Sequence, residues 1–272
     1  MKCPPFEYVR AGSVEEVVKV LAESGGDGKI LAGGQSLVPV LALRMARPSV
    51  LVDINRVPGL SSIRPEEEAI EVGALTRHSA LAAQTHHPLL AEAAKWIGHT
   101  AIRARGTAGG SLAHADPSAE LPVVAVGTGA TIRITGPAGS RTTPADELFL
   151  GTLVTSLADG EMITDVTFPR PARWGFAEFA RRRGDFALVT AVVAEIGGTM
   201  RLALGGVASM PVRVTEAEQV LAAGGTVGEA AMAAAAGIDP VGDLHGPAPF
   251  RRAIAAEMVR RALSQAGIGK ER

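Results

Sequence analysis

The stretch IRARGTAGGSLAHADPSAELP, residues 102–122, combines glycines and hydroxyl side chains in a pattern typical of anion-binding backbone. Gly106, Gly109 and Gly110 remove side chains from a short segment, and Thr107 and Ser111 place hydroxyl groups beside it. Backbone N–H groups in such a segment can come close to an anion, which is how a chain holds a phosphate. The stretch therefore predicts a phosphate-binding loop.

An earlier stretch, ILAGGQSL at residues 30–37, repeats this composition with Gly33, Gly34, Gln35 and Ser36. Two such loops predict that one diphosphate is held from both sides. Neither stretch matches GxGxxG of the Rossmann fold or GxxxxGK[ST] of the P-loop. A nucleotide bound here therefore requires a different fold.

The composition excludes several classes of protein. The 272 residues suffice for one or two domains with a sizeable core. The charged fraction is 20% and the net charge is −1, so we expect no nucleic-acid partner. Cys3 is the only cysteine, so this chain cannot supply the four thiolates of an iron–sulfur cluster. No apolar run is long enough to span a membrane and no leader pattern is present, which predicts a cytoplasmic protein.

The first part of the chain has the pattern of a small α/β unit. Ser13 and Glu16 form a capping-box pattern, and Val17, Val18 and Leu21 then fall on one helical face. The patterns predict helices at 13–23, 38–45, 76–84 and 88–97, and strands at 29–31, 50–54, 69–73, 131–135 and 162–168.

A shift to proline and charge at 169–174, PRPARW, is the best candidate for a domain boundary. Beyond it, strands at 175–180, 187–196 and 200–204 predict an antiparallel meander, followed by helices at 215–221, 227–236 and 249–265. The prediction is an α+β protein with domains at 1–172 and 173–272.

No catalytic or metal-binding constellation stands out. His114 and Asp116 lack third and fourth ligands at useful spacing, so no metal is predicted. Arg181, Arg182 and Arg183 are either a solvated strand end or a contact to an anion or an acidic partner. Because Ser-His-Asp order, HExxH and a carboxylate pair are all missing, any chemistry is expected to come from a cofactor.

The chain resembles the FAD-binding medium subunits of the molybdenum hydroxylases, the family of carbon monoxide dehydrogenase and xanthine dehydrogenase. The resemblance spans nearly the whole chain in the family's order and spacing. It rests on AGGQSL (32–37), VDINRVPGL (52–60), VGALTRHSAL (72–81), the opening stretch, RRRGDFALV (181–189), GGVASMPVRVTEAE (205–218) and PAPFRRAIAAEMVRRAL (247–263).

The resemblance implies a two-subdomain FAD-binding fold of the vanillyl-alcohol oxidase type, split near 56–62, followed by a C-terminal sheet-and-helix domain. It also implies that FAD is the cofactor. The residues that would contact FAD are Leu31, Ala32, Gly33, Gly34, Gln35, Ser36, Leu37, Ile97, Ile102, Thr107, Ala108, Gly109, Gly110, Ser111, Asp116, Glu120, Ile163 and Glu178. Among these, Ile97 and Ile163 would be apolar contacts, and Glu120 would be an acidic hydrogen-bonding contact.

One position departs from the family pattern. Several relatives carry lysine two residues after the aromatic that opens a strand, whereas this chain has Glu178 after Phe176. A lysine there would stabilise negative charge on reduced flavin and a carboxylate would do the reverse. The departure predicts an altered flavin potential or local contact.

The resemblance further implies an electron relay. A large molybdopterin subunit would hydroxylate substrate, a small iron–sulfur subunit would pass electrons on, and FAD on this chain would deliver them to an external acceptor. The expected assembly is a heterotrimer or a dimer of heterotrimers. A cofactor-free assembly subunit and a stand-alone flavin reductase of the same fold are the alternatives.

Overall fold

The computed structural model describes residues 2–269. The chain begins with a three-stranded parallel sheet of order β1-β3-β2, formed by β1 (Glu7–Arg10), β2 (Gly28–Leu31) and β3 (Val50–Asp53). Helix α1 (Val14–Glu23) packs on this sheet through Val17, Val18 and Leu21, and the Ser13 hydroxyl caps it by accepting from the amide of Glu16. Helix α2 (Leu37–Ala42) follows the first glycine stretch. The predicted helices and strands of this unit are confirmed, apart from β1, which the sequence patterns missed.

The second sheet has five antiparallel strands in the order β4-β5-β10-β6-β7. Its strands are β4 (Ile63–Pro65), β5 (Ala69–Gly73), β6 (Thr131–Gly136), β7 (Gly139–Pro144) and β10 (Met162–Pro169). The helices of this region are α3 (His78–Ala83), α4 (Pro88–Trp96), α5 (Thr100–Arg103), α6 (Ala108–His114), α7 (Glu120–Thr128) and α8 (Ala145–Leu148). A small hairpin joins β8 (Phe149–Gly151) to β9 (Val154–Thr155).

The C-terminal part is a four-stranded antiparallel sheet covered by helices, as predicted. The strands run in chain order: β11 (Trp174–Phe179), β12 (Val189–Ile196), β13 (Thr199–Gly205) and β14 (Val212–Arg213). The helices are α9 (Thr215–Ala222), α10 (Val227–Ala236) and α11 (Ala248–Gln265). Gly175 allows the closest approach between β11 and α11, because a Cβ there would overlap the carbonyl of Ala262.

Helix α7 lies between the two large sheets and is buried on all sides. A Cβ on Gly127 would lie 2.7 Å from Cγ1 of Val192 on β12, so glycine lets the helix sit directly on the C-terminal sheet. The sequence analysis did not predict this helix because a helix that is apolar all round has no amphipathic period. The core is therefore continuous across residue 172, and the domain boundaries remain a prediction.

Candidate functional site

The first glycine stretch forms a turn between β2 and α2 whose amide groups are unused by the chain. The N–H groups of residues 33–37 donate to no acceptor within residues 2–269. Gly34 has φ +72°, a left-handed conformation that favours glycine. The side-chain amide of Gln35 donates from Nε2 to the carbonyl of Gly33 at 3.1 Å. Ser36 is exposed and its hydroxyl forms no cap to α2. Consecutive free amides of this kind form a cradle for an anion.

The second glycine stretch differs from the predicted loop, because residues 108–114 form helix α6. Thr107 caps the helix by accepting from the amide of Gly110 at 3.2 Å. The amides of Ala108 and Gly109 donate to the carbonyls of Thr76 and Ala74, each at 2.9 Å. These two donors are therefore occupied within the chain, and the contact of this stretch with an anion stays a prediction. Among the described residues, consecutive amides without an acceptor lie on residues 33–37.

The two stretches nevertheless meet, backbone against backbone. A Cβ on Gly33 would overlap the carbonyl oxygen of Arg105 and would lie 2.9 Å from Cα of Gly106. A Cβ on Gly110 would lie 3.9 Å from Cβ of Ala32. The structure thus brings together the two segments that the sequence analysis paired, and glycine is required at Gly33 for this contact.

A polar network that the sequence analysis did not select joins the two segments. The Asn55 side chain donates to the carbonyl of Ala32 at 2.8 Å and to Asp53 at 2.7 Å, and its oxygen accepts from Arg77 at 2.7 Å. Arg77 also donates to the carbonyl of Arg105. These residues belong to the VDINRVPGL and VGALTRHSAL motifs, which is the signal that could have identified them.

His78 hydrogen-bonds to the backbone of the second glycine stretch. Its Nε2 lies 2.9 Å from the carbonyl of Thr107, its amide donates to the carbonyl of Gly106, and the side chain is 6% exposed. Nδ1 is buried and has no partner in the described chain. Burial lowers the pKa of His78 to about 4, so the imidazole is neutral near pH 7 and donates from Nε2.

The predicted apolar contacts lie in different environments. Ile97 and Ile163 are 8% and 5% exposed and belong to the main hydrophobic core, so little of their surface is available to a ligand. Ile102 is 37% exposed on α5, and Leu31 and Leu37 are half-buried on either side of the first stretch. Ser111 is half-buried within α6. Of the isoleucines, only Ile102 presents a large exposed surface.

The predicted acidic contacts cluster at the start of α7. Burial, reinforced by the charge of Asp116, raises the pKa of Glu120 to about 7. Burial and the charge of Glu120 raise the pKa of Glu178 to about 8, and Thr190 donates to Glu178 at 3.3 Å. A raised pKa favours the protonated form of Glu178, and the effect of this residue on the flavin stays a prediction.

The three consecutive arginines have separate environments. Arg181 donates to the carbonyls of Leu244 and His245, while the Arg183 guanidinium lies 5.5 Å from the ring centroid of Trp96. Arg182 is exposed. His114 and Asp116 belong to no cluster of three or more potential metal ligands among the residues described. No helix in that same part of the chain is long and apolar enough to cross a membrane.

Comparison with known proteins decides the family. Residues 4–171 match the FAD binding domain in molybdopterin dehydrogenase, and residues 174–266 match the CO dehydrogenase flavoprotein C-terminal domain. The chain belongs to the FAD-binding medium subunits of the molybdenum hydroxylases. FAD is therefore its cofactor, and it is a subunit of an oxidoreductase, as the sequence resemblance implied.

Relatives cover this medium subunit almost from end to end. It is 45% identical to the 6-hydroxypseudooxynicotine dehydrogenase complex subunit alpha of Paenarthrobacter nicotinovorans, over 98% of this chain and 96% of the relative. It is 40% identical to the nicotine 6-hydroxylase medium subunit of the same organism, over 98% and 99%. A solved carbon monoxide dehydrogenase from Hydrogenophaga pseudoflava superposes with a TM-score of 0.92 at 40% identity, covering 98% of this chain and 99% of that one.

Proposed function

We propose that this medium subunit carries FAD as an electron-transfer cofactor between the iron–sulfur clusters of a small partner subunit and an external acceptor. A large molybdopterin subunit would complete the complex as a heterotrimer or a dimer of heterotrimers. The single observation that carries the FAD site is the row of five free amides at residues 33–37, held in backbone contact with the Arg105–Gly106 segment.

The residues of the first stretch fit a diphosphate. Free amides and the exposed Ser36 hydroxyl are hydrogen-bond donors of the kind that bind phosphate oxygens. Asn55 and Arg77 hold the carbonyls of Ala32 and Arg105, which fixes the direction of both segments. When bound, FAD supplies the redox chemistry, and the role of these residues is to bind and orient it.

The remaining site assignments extend this proposal along α6 and beyond. Asp116, Glu120 and Glu178 would lie toward the flavin end of the cofactor. Thr107 to Ser111 would contact the cofactor by close backbone approach, because Thr107, Ala108 and Gly109 are buried and Gly110 and Ser111 are half-buried. Because this chain has a single cysteine, the iron–sulfur clusters would be bound by another chain.

The test is to purify the chain together with its partner subunits and to measure flavin absorbance. Ser36→Asp would place a carboxylate among the free amides, where it would compete with and repel a diphosphate, while Ser36→Ala would remove one hydroxyl only. We expect FAD affinity to fall at least 100-fold for Ser36→Asp and only a few-fold for Ser36→Ala. Full affinity in Ser36→Asp would reject the site.

The same preparation separates the alternatives. A complex that lacks flavin but oxidises its substrate at the normal rate would identify a cofactor-free assembly subunit. Turnover of NAD(P)H by the isolated chain would identify a stand-alone flavin reductase. Bleaching of the flavin absorbance by substrate only when the iron–sulfur subunit is present would support the proposed relay.

A further inference from the structure

Two glutamates face each other where the C-terminal sheet meets helix α7. Trp174, Phe176 and Glu178 alternate onto one face of β11, and Phe176 packs against Trp96 of α4 with ring centroids 6.1 Å apart. This face is therefore the one turned toward α4 and α7. Glu120 is the first residue of α7 and is 7% exposed.

The strand register places both carboxyl groups at the same end of this interface. Glu178 pairs with Thr190, and Thr190 pairs with Gly205. A Cβ on Gly205 would overlap Val123, which lies one turn beyond Glu120 on α7, and would lie 3.4 Å from the carbonyl of Pro117. The two carboxyls thus approach each other from α7 and β11, and the charge of one acts on the other.

No basic side chain neutralises this pair among the described residues. Within residues 2–269, the carboxyl of Glu120 forms no hydrogen bond or ion pair with another residue, and Glu178 accepts only from the Thr190 hydroxyl. The remaining charged group that acts on Glu120 is Asp116, which is also acidic. Glu120 is buried and Glu178 is half-buried, and two like charges in such a place without a cation are unfavourable, so the pair retains a proton.

The charged groups on the neighbouring helices are engaged elsewhere. From α11, Arg251 donates to the carbonyls of Leu188 and Gly206 and to Asp243, and Gln265 accepts from the amide of Phe176. From α4, Glu92 accepts from Lys95 and Trp96. Because these groups bond to other partners, only a retained proton keeps Glu120 and Glu178 from carrying two negative charges.

The pair lies beyond the C-terminal end of helix α6, which begins beside the first glycine stretch. Helix α6 has seven residues, about 10 Å, and leads from the Gly110 contact to Asp116 and then to Glu120. A dinucleotide whose diphosphate lies at residues 33–37 extends beyond that point toward its flavin. The direction of α6 therefore leads from the diphosphate cradle to the glutamate pair.

We propose that Glu120 and Glu178 act as one proton-holding unit beside the flavin, with Glu178 as a positioning residue through which pH controls the reduction potential of the bound FAD. The inference rests on the proposed function. While the pair holds its shared proton, it carries one negative charge at most. When the pair loses that proton, the second charge disfavours negative charge on the reduced cofactor. The glutamates are neither oxidised nor reduced, and their proton exchanges with solvent.

The experiment is a spectroelectrochemical titration of FAD bound to the full chain, from pH 6 to pH 9, with dithionite as the source of electrons. The variants are Glu178→Gln and Glu120→Gln, and the matched control is Glu147→Gln, which removes an exposed carboxyl on α8. At pH 6 we expect all four proteins to agree. At pH 9 we expect each pair variant to favour reduction about tenfold relative to wild type, about 30 mV for a two-electron couple.

An infrared measurement provides a second readout that does not depend on the potential. The wild-type protein should show a carboxylic acid C=O band at pH 6 that disappears by pH 9, and each pair variant should show a weaker band at pH 6. Glu147→Gln should keep it. Glutamine preserves the shape of glutamate, so both variants are expected to fold. If one of them misfolds, the other still tests the inference.

Each outcome has a defined meaning. The same pH course of the potential in wild type and both pair variants, with FAD bound, would overturn the inference and leave the proposed function intact. Absence of the C=O band at pH 6 would also overturn it. Failure of the chain and its complex to bind FAD would instead reject the proposed function, and the inference with it.

Discussion

Arg77 donates from Nη2 to the Asn55 side-chain oxygen at 2.7 Å, and this contact joins the parallel sheet to the segment that precedes α6. The Asn55 side chain donates to the carbonyl of Ala32, and Arg77 donates to the carbonyl of Arg105. The relative position of the two segments is therefore set by side chains that belong to neither.

Arg77→Lys should weaken FAD binding. Lysine keeps the charge but cannot donate to Asn55 and Arg105 in the fixed geometry of a guanidinium, so the two segments lose a common anchor. We expect an affinity loss of about tenfold, which corresponds to about one hydrogen bond. Quenching of flavin fluorescence measures it. Arg252→Lys, on α11 and ion-paired with exposed Asp239, is the control and should bind FAD normally.

Gly33→Ala should separate the two segments. The added methyl group would overlap the carbonyl of Arg105, which is backbone and cannot rotate away. We expect about 1–3 kcal/mol of destabilisation, as for overpacking in general, and a loss of FAD affinity larger than for Arg77→Lys. Gly151→Ala is the matched control, because nothing lies within 4 Å of its added Cβ. Equal FAD affinity in both alanine variants would contradict the backbone contact.

Acid should destabilise the second segment through His78. The pKa of its imidazole is about 4 in the fold and 6.5 ordinarily, so the unfolded chain binds more protons between these values. Stability is therefore lost as pH falls from about 6.5 to 4, by about 3 kcal/mol in total for this group. Urea unfolding at pH 7.5 and pH 5 measures the loss.

His78→Gln provides the comparison for that measurement. Glutamine can still donate to the Thr107 carbonyl but does not titrate, so its stability should depend less on pH in this window. His86→Gln, at an exposed position, should behave like wild type. If wild type and His78→Gln lose the same stability between pH 7.5 and pH 5, the buried imidazole is not the group responsible.

A rise in pH should destabilise the protein through the glutamate pair, whereas His78 destabilises it as the pH falls. The pKa of Glu178 is raised in the fold, so the unfolded chain releases its proton first and stability falls as pH rises above about 4.5 toward 8. Glu178→Gln should therefore gain about 3 °C in Tm over wild type at pH 8.5 and little at pH 5. Differential scanning calorimetry of the chain without FAD measures both values. A constant Tm difference at the two pH values would contradict the assignment.

The glycine stretches, the α/β pattern of the first part and the antiparallel meander were predictable because each depends on local composition and period. The family resemblance and the FAD cofactor were predictable for the same reason, since motifs are local in sequence. Helix α7 was not, because a helix buried between two sheets has no polar face to mark its period. The glycines of helix α6 predict a loop, because glycine is a poor helix former on its own.

Local composition is enough to predict which segments carry backbone accessible to an anion, Gly33, Gly34 and Ser36 among them. Which amides remain free depends on tertiary packing, because the partners of Ala108 and Gly109 are carbonyls more than thirty residues earlier in the chain. The same holds for Glu120 and Glu178. Burial and the charge of Asp116 raise the pKa of Glu120, and burial and the charge of Glu120 raise the pKa of Glu178. The burial of both groups depends on the packing of α7 against the C-terminal sheet.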